Sequence, residues 1–371
     1  MRRYRCGSVD PQASHPWADD FQVKCFRAEA VARLVHQIVS DGFRPELVIG
    51  HPGWGELLAI KDVLPGVPVV HHLEFVYQLA GADVAFDPDA LPPLAGFEAL
   101  SQKIRLRLRR APQFLALHDL DRAWAPTQWQ AATAPSMFAD RITVIHEGID
   151  TDAVSPNPQA EVRLNRAGLT FRPGDEVVSF VARNLEPYRG FHVFMRSLPE
   201  LLRRRPLCHV VIVGGDAVSY GAPPASGGTW RALLLQELEG RMDRSRVHFV
   251  GRVPLSVLHQ LFQVTACHVY LTYPFVLSWS LLEAMSCGAL VVASATAPVE
   301  EVVTDGVNGL LVDFFDSTAL ALRVAEVLAH PDRLASIAAE ARRSIVKGYD
   351  LRSICLPRQF RMVDELGAFS V

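Results

Sequence analysis

Two arginines separated by a short loop could bind a diphosphate. Arg183 and Arg189 lie six positions apart, just after the apolar run at 177–182, with Asn184 between them. A guanidinium group keeps its charge and makes paired hydrogen bonds to phosphate oxygens. Gly190 follows and precedes a helical pattern, and a helix N-terminus favours an anion through its dipole and free N–H groups. The loop therefore predicts diphosphate binding, although two solvated surface arginines would give the same local pattern.

Two further loops could hold the rest of a nucleotide. Gly215 and Asp216 follow one apolar run, and Gly251 and Arg252 follow the next. A glycine lets a ligand approach the backbone closely, and the free backbone groups of the second loop could bind a base. Each loop alone would also fit an ordinary tight turn.

A glutamate in a helical pattern completes the predicted nucleotide site. Glu283 lies early in a helix that begins near Ser278, after the apolar run at 267–271. A carboxylate in this place can accept hydrogen bonds from both hydroxyls of a ribose. We include Ser278 and Glu283 in the site because both follow the end of a predicted strand.

Apolar runs alternate with helical patterns throughout the second half of the chain. The five runs are 177–182, 209–213, 247–250, 267–271 and 290–293. Strands that are apolar on both faces and alternate with helices are typical of a parallel sheet covered on both sides. Such a sheet binds ligands at the carboxyl ends of its strands, which is where the candidate residues lie.

The first half predicts a similar but less regular domain. Helical spacing over 21–40 precedes short β-branched runs at 45–50, 67–71 and 142–145. A doubly wound domain ordinarily opens with a strand, whereas this one opens with a helix. The pattern indicates a domain without its first strand, through truncation, a late start codon or an edge borrowed from elsewhere.

The length of 371 residues suits two domains. We predict an N-terminal domain over 1–155 and a C-terminal domain over 156–345. The remaining segment, 346–371, is predicted to be a helix that packs back toward the N-terminal domain.

Polar residues also follow two of the strands predicted in the first half. His51 follows the run at 45–50, and His72 and Glu74 follow the run at 67–71. Because strand ends face the ligand edge of such a sheet, we take His72 and Glu74 as candidate catalytic residues on the acceptor side. Polar residues at strand ends also cap helices or close loops, and that interpretation stays open.

Composition excludes several other classes of protein. The formal net charge is −3 with basic residues spread along the chain, which argues against a nucleic-acid partner. The six cysteines lack metal-ligand spacing, and no apolar run approaches the length of a membrane span. We expect a cytoplasmic protein. The basic run at 103–110 could contact the inner face of a membrane peripherally, but a solvated helix face is the simpler interpretation and we favour it.

Three motifs together resemble the retaining glycosyltransferases of family four. The Arg183 to Gly190 loop, Leu-Glu-Ala-Met-x-x-Gly at 282–288 and Asp-Gly-x-Asn-Gly at 305–309 occur here in that family's order. The resemblance implies the GT-B fold, an α/β architecture of two Rossmann-like domains facing a central cleft. It also implies transfer of a sugar, with retention, from a UDP-, GDP- or ADP-sugar to a glycan, lipid-linked or small-molecule acceptor.

The resemblance assigns roles to individual residues. Arg183 and Arg189 would bind the donor diphosphate and stabilise its developing charge, and Glu283 would bind the ribose. The family usually has a second glutamate near the donor sugar, eight positions before Glu283, where this chain has Phe275. We expect no cofactor beyond the donor and no metal for donor binding, since the donor-side loops lack an Asp-x-Asp pair.

Two other functions remain open from the sequence. A GT-B-fold sugar-nucleotide epimerase or phosphorylase would share the donor loops, although an epimerase needs acidic residues and histidines around the donor sugar. Phe275, which stands where the family usually has a glutamate, therefore disfavours an epimerase. A non-catalytic sugar-nucleotide-binding protein is consistent with Phe275 and with the absent first strand.

Overall fold

Both halves of the chain form parallel sheets flanked by helices. The structure is a computed structural model that describes residues 3–7, 15–88, 95–164 and 167–367. The chain divides into two compact units. Unit 1 comprises Met1–Ala85, Pro93–Glu147 and Cys355–Val371. Unit 2 comprises Phe86–Pro92 and Gly148–Ile354.

Unit 1 contains one sheet and unit 2 contains a large sheet and a hairpin. The unit 1 strands are β1 (Val48–Gly50), β2 (Val69–His72), β3 (Arg122–Ala125) and β4 (Ile142–Val144). The unit 2 strands are β5 (Val162–Leu164), β6 (Leu169–Phe171), β7 (Val177–Asn184), β8 (His209–Gly215), β9 (Val247–Gly251), β10 (Cys267–Tyr270), β11 (Leu290–Ser294) and β12 (Leu310–Val312).

Helices follow most of these strands. The helices of the first half are α1 (Asp19–Ser40), α2 (Ile60–Val63), α3 (Gly96–Arg109), α4 (Ala111–His118) and α5 (Gln128–Ala131). Those of the second half are α6 (Phe191–Arg204), α7 (Trp230–Glu237), α8 (Leu255–Val264), α9 (Trp279–Ser286), α10 (Ala297–Glu300), α11 (Ser317–Ala329), α12 (Pro331–Tyr349) and α13 (Leu356–Asp364).

The unit 2 sheet is parallel throughout and buried on both faces. Its strand order is β12-β11-β10-β7-β8-β9, so β7 lies in the interior and pairs with β10 and β8. Phe180 on β7 stacks on Phe194 of α6 with ring centroids 4.6 Å apart, and both side chains are fully buried. Burial of these apolar side chains holds the helix against the sheet. The five strands predicted here are confirmed.

Several short strands were missed by the sequence patterns. These are β3, β12 and the β5–β6 hairpin. In β3 the buried residues are Ala123 and Ala125, and they alternate with Arg122 and Trp124. Two small apolar residues next to an arginine give little strand signal, yet β3 pairs with β2 on one side and β4 on the other.

The first element among the described residues of unit 1 is the helix α1, in agreement with the sequence prediction. The sheet order is β1-β2-β3-β4, and β1 therefore has a free edge in the described part of the chain. Ile49 on this edge is 55% exposed. Beside it lies an apolar cavity of about 450 Å³, lined by α1 residues such as Leu34 and Ile38 and by Val48.

Candidate functional site

Three of the predicted residues of unit 2 come together at one edge of the large sheet. Asn184 ends β7, Gly215 ends β8 and Arg252 follows β9. The Arg252 Nη2 donates a hydrogen bond to the Asn184 Oδ1 at 3.0 Å. A Cβ added to Gly215 would lie 2.6 Å from that oxygen and 3.0 Å from the Arg252 Nε. The absence of a side chain at Gly215 thus lets Asn184 and Arg252 pack against the backbone at the end of β8.

Arg189 is a buried cation whose partners are all neutral. Its side chain is 9% exposed, and Nη1 donates to the Thr272 hydroxyl at 2.8 Å and the Val276 carbonyl at 2.9 Å. Among the described residues, no carboxylate forms an ion pair with Arg189. Burying a guanidinium group without a counter-charge is costly, so this position suits binding of an anion.

The loop after β7 turns into a helix at the residue next to Arg189. Gly190 has φ +66° and is the N-cap of α6. A Cβ at this position would lie 2.3 Å from the Leu271 Cβ, so both the conformation and the space require glycine. Arg189 is thus the residue immediately before the N-cap of α6. Arg183, by contrast, is exposed on β7.

A buried glutamate that the sequence analysis did not single out fixes the neighbouring loop. Glu186 is 1% exposed; its Oε1 accepts the Ser219 N–H at 2.8 Å and its Oε2 accepts the Gly221 N–H at 2.9 Å. These bonds place the Tyr220 ring centroid 5.7 Å from the Arg189 guanidinium carbon. A single glutamate in a loop carries no sequence signal for such a role.

Phe275 belongs to an aromatic cluster around Arg189. Its ring centroid lies 4.8 Å from that of Tyr220 and 5.6 Å from that of Tyr188. The Arg189 guanidinium carbon is 6.0 Å from the Phe275 centroid, within the range of a cation–π contact. An aromatic ring thus stands where the family usually has a carboxylate, and Arg189 gains no negative partner from this position.

Ser278 lies in the loop after β10 and Glu283 lies in the helix that follows, as the sequence predicts. Glu283 is buried in α9, with its Oε1 3.3 Å from the His259 Nε2. Ser278 immediately precedes α9, and its backbone N–H donates to the Tyr270 hydroxyl at 2.8 Å. Their assignment to a nucleotide stays a prediction.

Asp216 and Gly251 differ in how free they are to meet a ligand. The Asp216 carboxylate is engaged in an ion pair with the Arg231 guanidinium at 2.9 Å. Gly251 has φ +71°, and a Cβ there would meet no atom within 4 Å. Gly251 therefore has open space where a side chain would stand, at the end of β9 where it pairs with Val213, whereas the Asp216 side chain already has a partner inside unit 2.

A second cluster lies at the strand ends of unit 1. The His72 Nε2 is 2.7 Å from the Glu147 Oε1, and the His51 Nε2 is 3.3 Å from the Glu74 Oε2. The His146 Nε2 is 3.4 Å from the Glu147 Oε2. These residues follow β1, β2 and β4, whose parallel strands end at one edge. The structure therefore brings the predicted pair His72 and Glu74 together with Glu147, which the sequence analysis left without a role.

Both carboxylates of this cluster are ionised at neutral pH. A hydrogen bond from His51 lowers the pKa of Glu74, although burial opposes the shift. Burial would raise the pKa of Glu147, but the hydrogen bond with His72 and the charges of His146 and His72 lower it more. The cluster therefore presents two negative groups surrounded by imidazole rings.

Aromatic rings flank the same cluster. His51 stacks on Trp54 with centroids 4.6 Å apart, and His72 stacks on Trp124 at 5.4 Å. These contacts hold the two imidazole rings in fixed planes at the strand ends.

Comparison with known proteins identifies the family of the chain. Residues 1–154 match the model of the glycosyl transferase family 4 group, and residues 162–344 match that of glycosyl transferases group 1. The chain belongs to this glycosyltransferase family. The resemblance to this family, predicted from three motifs in the second half, is thereby confirmed.

Named relatives come from bacteria. A D-inositol 3-phosphate glycosyltransferase of Segniliparus rotundus is 27% identical over 288 residues, which are 77% of this chain and 57% of that protein. A GDP-mannose-dependent α-(1-6)-phosphatidylinositol monomannoside mannosyltransferase of Mycolicibacterium smegmatis is 31% identical over 235 residues, 61% of this chain and 56% of that protein. The matches thus span little more than half the length of these curated relatives.

Solved structures support the fold. Anabaena Alr3699/HepE in complex with UDP-glucose is similar with a TM-score of 0.64 and 20% identity, covering 91% of this chain and 82% of that one. Sucrose-phosphate synthase from Thermosynechococcus elongatus is similar with a TM-score of 0.70 and 19% identity, covering 99% and 83%. The predicted α/β architecture with Rossmann-like units, the GT-B fold, is confirmed.

Proposed function

We propose that the chain transfers a sugar, with retention of configuration, from a nucleotide diphosphate sugar to an acceptor. The observation that carries the proposal is Arg189, a buried cation without a described carboxylate partner at the N-terminus of α6. A diphosphate would supply the missing negative charge and meet the first N–H groups of the helix. The names of the relatives and the family models support the same class of reaction.

The diphosphate and the ribose of the donor each have a group suited to bind them. When the bond between sugar and diphosphate breaks, negative charge grows on the leaving diphosphate, and the Arg189 guanidinium group stabilises that charge. Arg183, exposed on β7, can approach the same phosphates from solvent. Glu283 would accept the ribose hydroxyls. The family's retaining mechanism has the leaving diphosphate take the acceptor proton on the same face of the sugar.

A transfer assay tests the proposal. The protein is incubated with UDP-, GDP- and ADP-sugars, with and without inositol phosphate or phosphatidylinositol acceptors of the kind that its relatives' names contain. We expect release of nucleoside diphosphate that depends on one acceptor, and a product whose anomeric configuration by NMR equals that of the donor. Binding without release would indicate a non-catalytic protein, and an isomerised donor sugar would indicate an epimerase.

We also propose that α3 contacts an anionic membrane surface, which would suit a lipid-linked acceptor. None of its residues is buried, and Phe97, Leu100, Ile104 and Leu108 follow helical spacing along one face. Phe97 is 69% exposed and Leu100 is 50% exposed. An apolar stripe on an exposed, basic helix is typical of segments that lie in the membrane interface. No helix in the described ranges has the length and apolar character needed to cross a bilayer.

The charge of α3 supports an anionic partner. Lys103, Arg105 and Arg107 are exposed beside the apolar stripe. Within the part of the chain that the structure describes, none of the three forms an ion pair. These unpaired cations favour contact of α3 with an anionic membrane, whereas the sequence alone favoured a solvated helix face.

Vesicle binding tests the contact of α3 with lipid. We expect the protein to co-sediment with vesicles containing anionic phosphatidylglycerol and not with neutral phosphatidylcholine vesicles. Changing Lys103, Arg105 and Arg107 to Gln should weaken binding by roughly 100-fold, because each cation near the surface contributes about 1 kcal/mol.

The matched control removes three exposed cations elsewhere. Arg241, Arg244 and Arg333 are all exposed, and changing them to Gln lowers the net charge equally. If this variant loses as much vesicle binding as the α3 variant, the attraction is general and α3 is not the contact site.

A further inference from the structure

The cluster at the strand ends of unit 1 has the composition of a metal site. One ligand atom from each of His72, Glu74 and Glu147 lies within 4.8 Å of the other two. His72 and Glu74 lie at the end of β2 and Glu147 follows β4, and β3 lies between these two strands in the same sheet. Their backbone positions are thus set by parallel strand pairing and do not depend on a flexible loop alone.

Outer histidines support the two carboxylates. His51 lies 3.3 Å from the Glu74 carboxylate, and His146 lies 3.4 Å from the Glu147 carboxylate. Carboxylates that bind a metal ordinarily have such second partners, which orient them toward the ion. Here each glutamate has one imidazole neighbour outside the ligand trio, so both carboxylates are held in place.

One buried carboxylate oxygen of the cluster lacks a well-aligned hydrogen bond. The Glu147 Oε2 is shielded from solvent, and within the described part of the chain its near neighbour is the His146 Nε2 at 3.4 Å. Leaving a charged oxygen buried in this way is unfavourable, and a bound cation would compensate it.

We propose that His72, Glu74 and Glu147 bind a divalent transition-metal ion, with Zn²⁺ as the best match. One imidazole nitrogen and two carboxylate oxygens suit Zn²⁺, which binds both at about 2.0 to 2.2 Å. Rotation of the two glutamate side chains would close the ligand trio around the ion. Mg²⁺ fits less well because it prefers oxygen ligands and keeps several waters.

The three ligand residues belong to unit 1, whereas the predicted donor residues belong to unit 2. A Zn²⁺ ion here would polarise a hydroxyl group of a ligand that reached its open coordination position. A Zn²⁺ site in unit 1 is therefore compatible with the prediction that donor binding requires no metal. This inference does not depend on the transfer reaction, because metal binding can be measured without donor or acceptor.

Calorimetry on the full chain tests the site directly. The protein is dialysed against EDTA, freed of chelator and titrated with ZnCl₂ and, separately, with MgCl₂. The exposed thiols of Cys6 and Cys25 can also bind Zn²⁺, so the titrations use a Cys6→Ser, Cys25→Ser background. We expect one Zn²⁺ per chain and binding of Mg²⁺ that is weaker by at least about 100-fold.

Three variants locate the ion. Glu147→Gln and His72→Gln should each weaken Zn²⁺ binding by at least about 10- to 100-fold, the range seen even for outer-shell changes. His118→Gln is the control, because this side chain is 88% exposed and lies outside the cluster. Thermal melting without metal verifies that each variant is folded.

Two results would overturn the proposal. One is that the parent protein does not bind Zn²⁺. The other is that Glu147→Gln, His72→Gln and the control variant bind Zn²⁺ with equal affinity. The cluster would then be a set of histidine–carboxylate pairs. A UDP or GDP titration of the EDTA-treated protein is run in parallel, and unchanged nucleotide affinity is expected because Arg189 supplies the positive charge.

Discussion

Replacing Arg189 with alanine should weaken binding of a nucleoside diphosphate by about 1.5 to 3 kcal/mol, on the order of 10- to 100-fold. Arg189 is buried and immediately precedes the N-cap of α6, and no described carboxylate neutralises its guanidinium group. Removing it takes away a charge-assisted contact that water cannot replace at a buried position. Calorimetric titration of the variant and the parent with UDP and GDP measures the change.

Controls separate the charge of Arg189 from its packing. Its hydrogen bonds to Thr272 and Val276 also hold the loop after β10, so Arg189→Ala is expected to lower the melting temperature as well. Arg189→Lys keeps the charge and should retain most of the affinity. Arg203→Ala removes an exposed arginine near the C-terminus of α6 and should leave the affinity for UDP and GDP unchanged. Equal nucleotide affinity in Arg189→Ala and the parent would exclude Arg189 from the donor site.

Changing Glu283 to glutamine should reduce affinity for UDP or GDP far more than affinity for their 2′-deoxy forms. A carboxylate that accepts hydrogen bonds from both ribose hydroxyls contributes about 1.5 to 3 kcal/mol through each charged contact. The 2′-deoxy nucleotide lacks one of those bonds in the parent protein and has less to lose. Titrations of parent and variant with each ligand pair give the difference.

The neighbour of Glu283 requires its own control. The His259 Nε2 lies 3.3 Å from the Glu283 carboxylate and could account for part of any effect. His259→Gln keeps a hydrogen-bonding side chain near Glu283, and we expect this variant to distinguish ribose from deoxyribose as the parent does. If Glu283→Gln weakens both ligand types equally, the glutamate does not bind the ribose.

The regular part of the fold could be predicted from local patterns. Continuous apolar runs such as 177–182 and 290–293 became interior strands of the unit 2 sheet, because only a strand covered on both faces can bury such a run. α1 was predicted from helical spacing over 21–40 and extends from Asp19 to Ser40. β3 was missed because its buried residues are two alanines next to an arginine, and its neighbours β2 and β4 determine that it forms a strand.

The predicted donor site shows which features of a site sequence motifs can predict. The loop from Arg183 to Gly190 and the position of Glu283 followed from strand, loop and helix order, since those features are local in sequence. The burial of Arg189 did not follow, because its partners Thr272 and Val276 lie on another loop. The sequence predicted two equivalent phosphate ligands, whereas one guanidinium group is exposed and the other is enclosed.

By itself, the sequence determined the main strands and helices of the second half, the loops that end at the ligand edge and the family to which the chain belongs. Only the tertiary structure decided which side chains meet across those loops. His72 and Glu147 are 75 positions apart, and Asn184 and Arg252 are 68 apart, yet each pair is in hydrogen-bond contact. Element type depends on residues a few positions apart, whereas such pairs depend on strand register and on which strands are neighbours, and burial of the whole core fixes both.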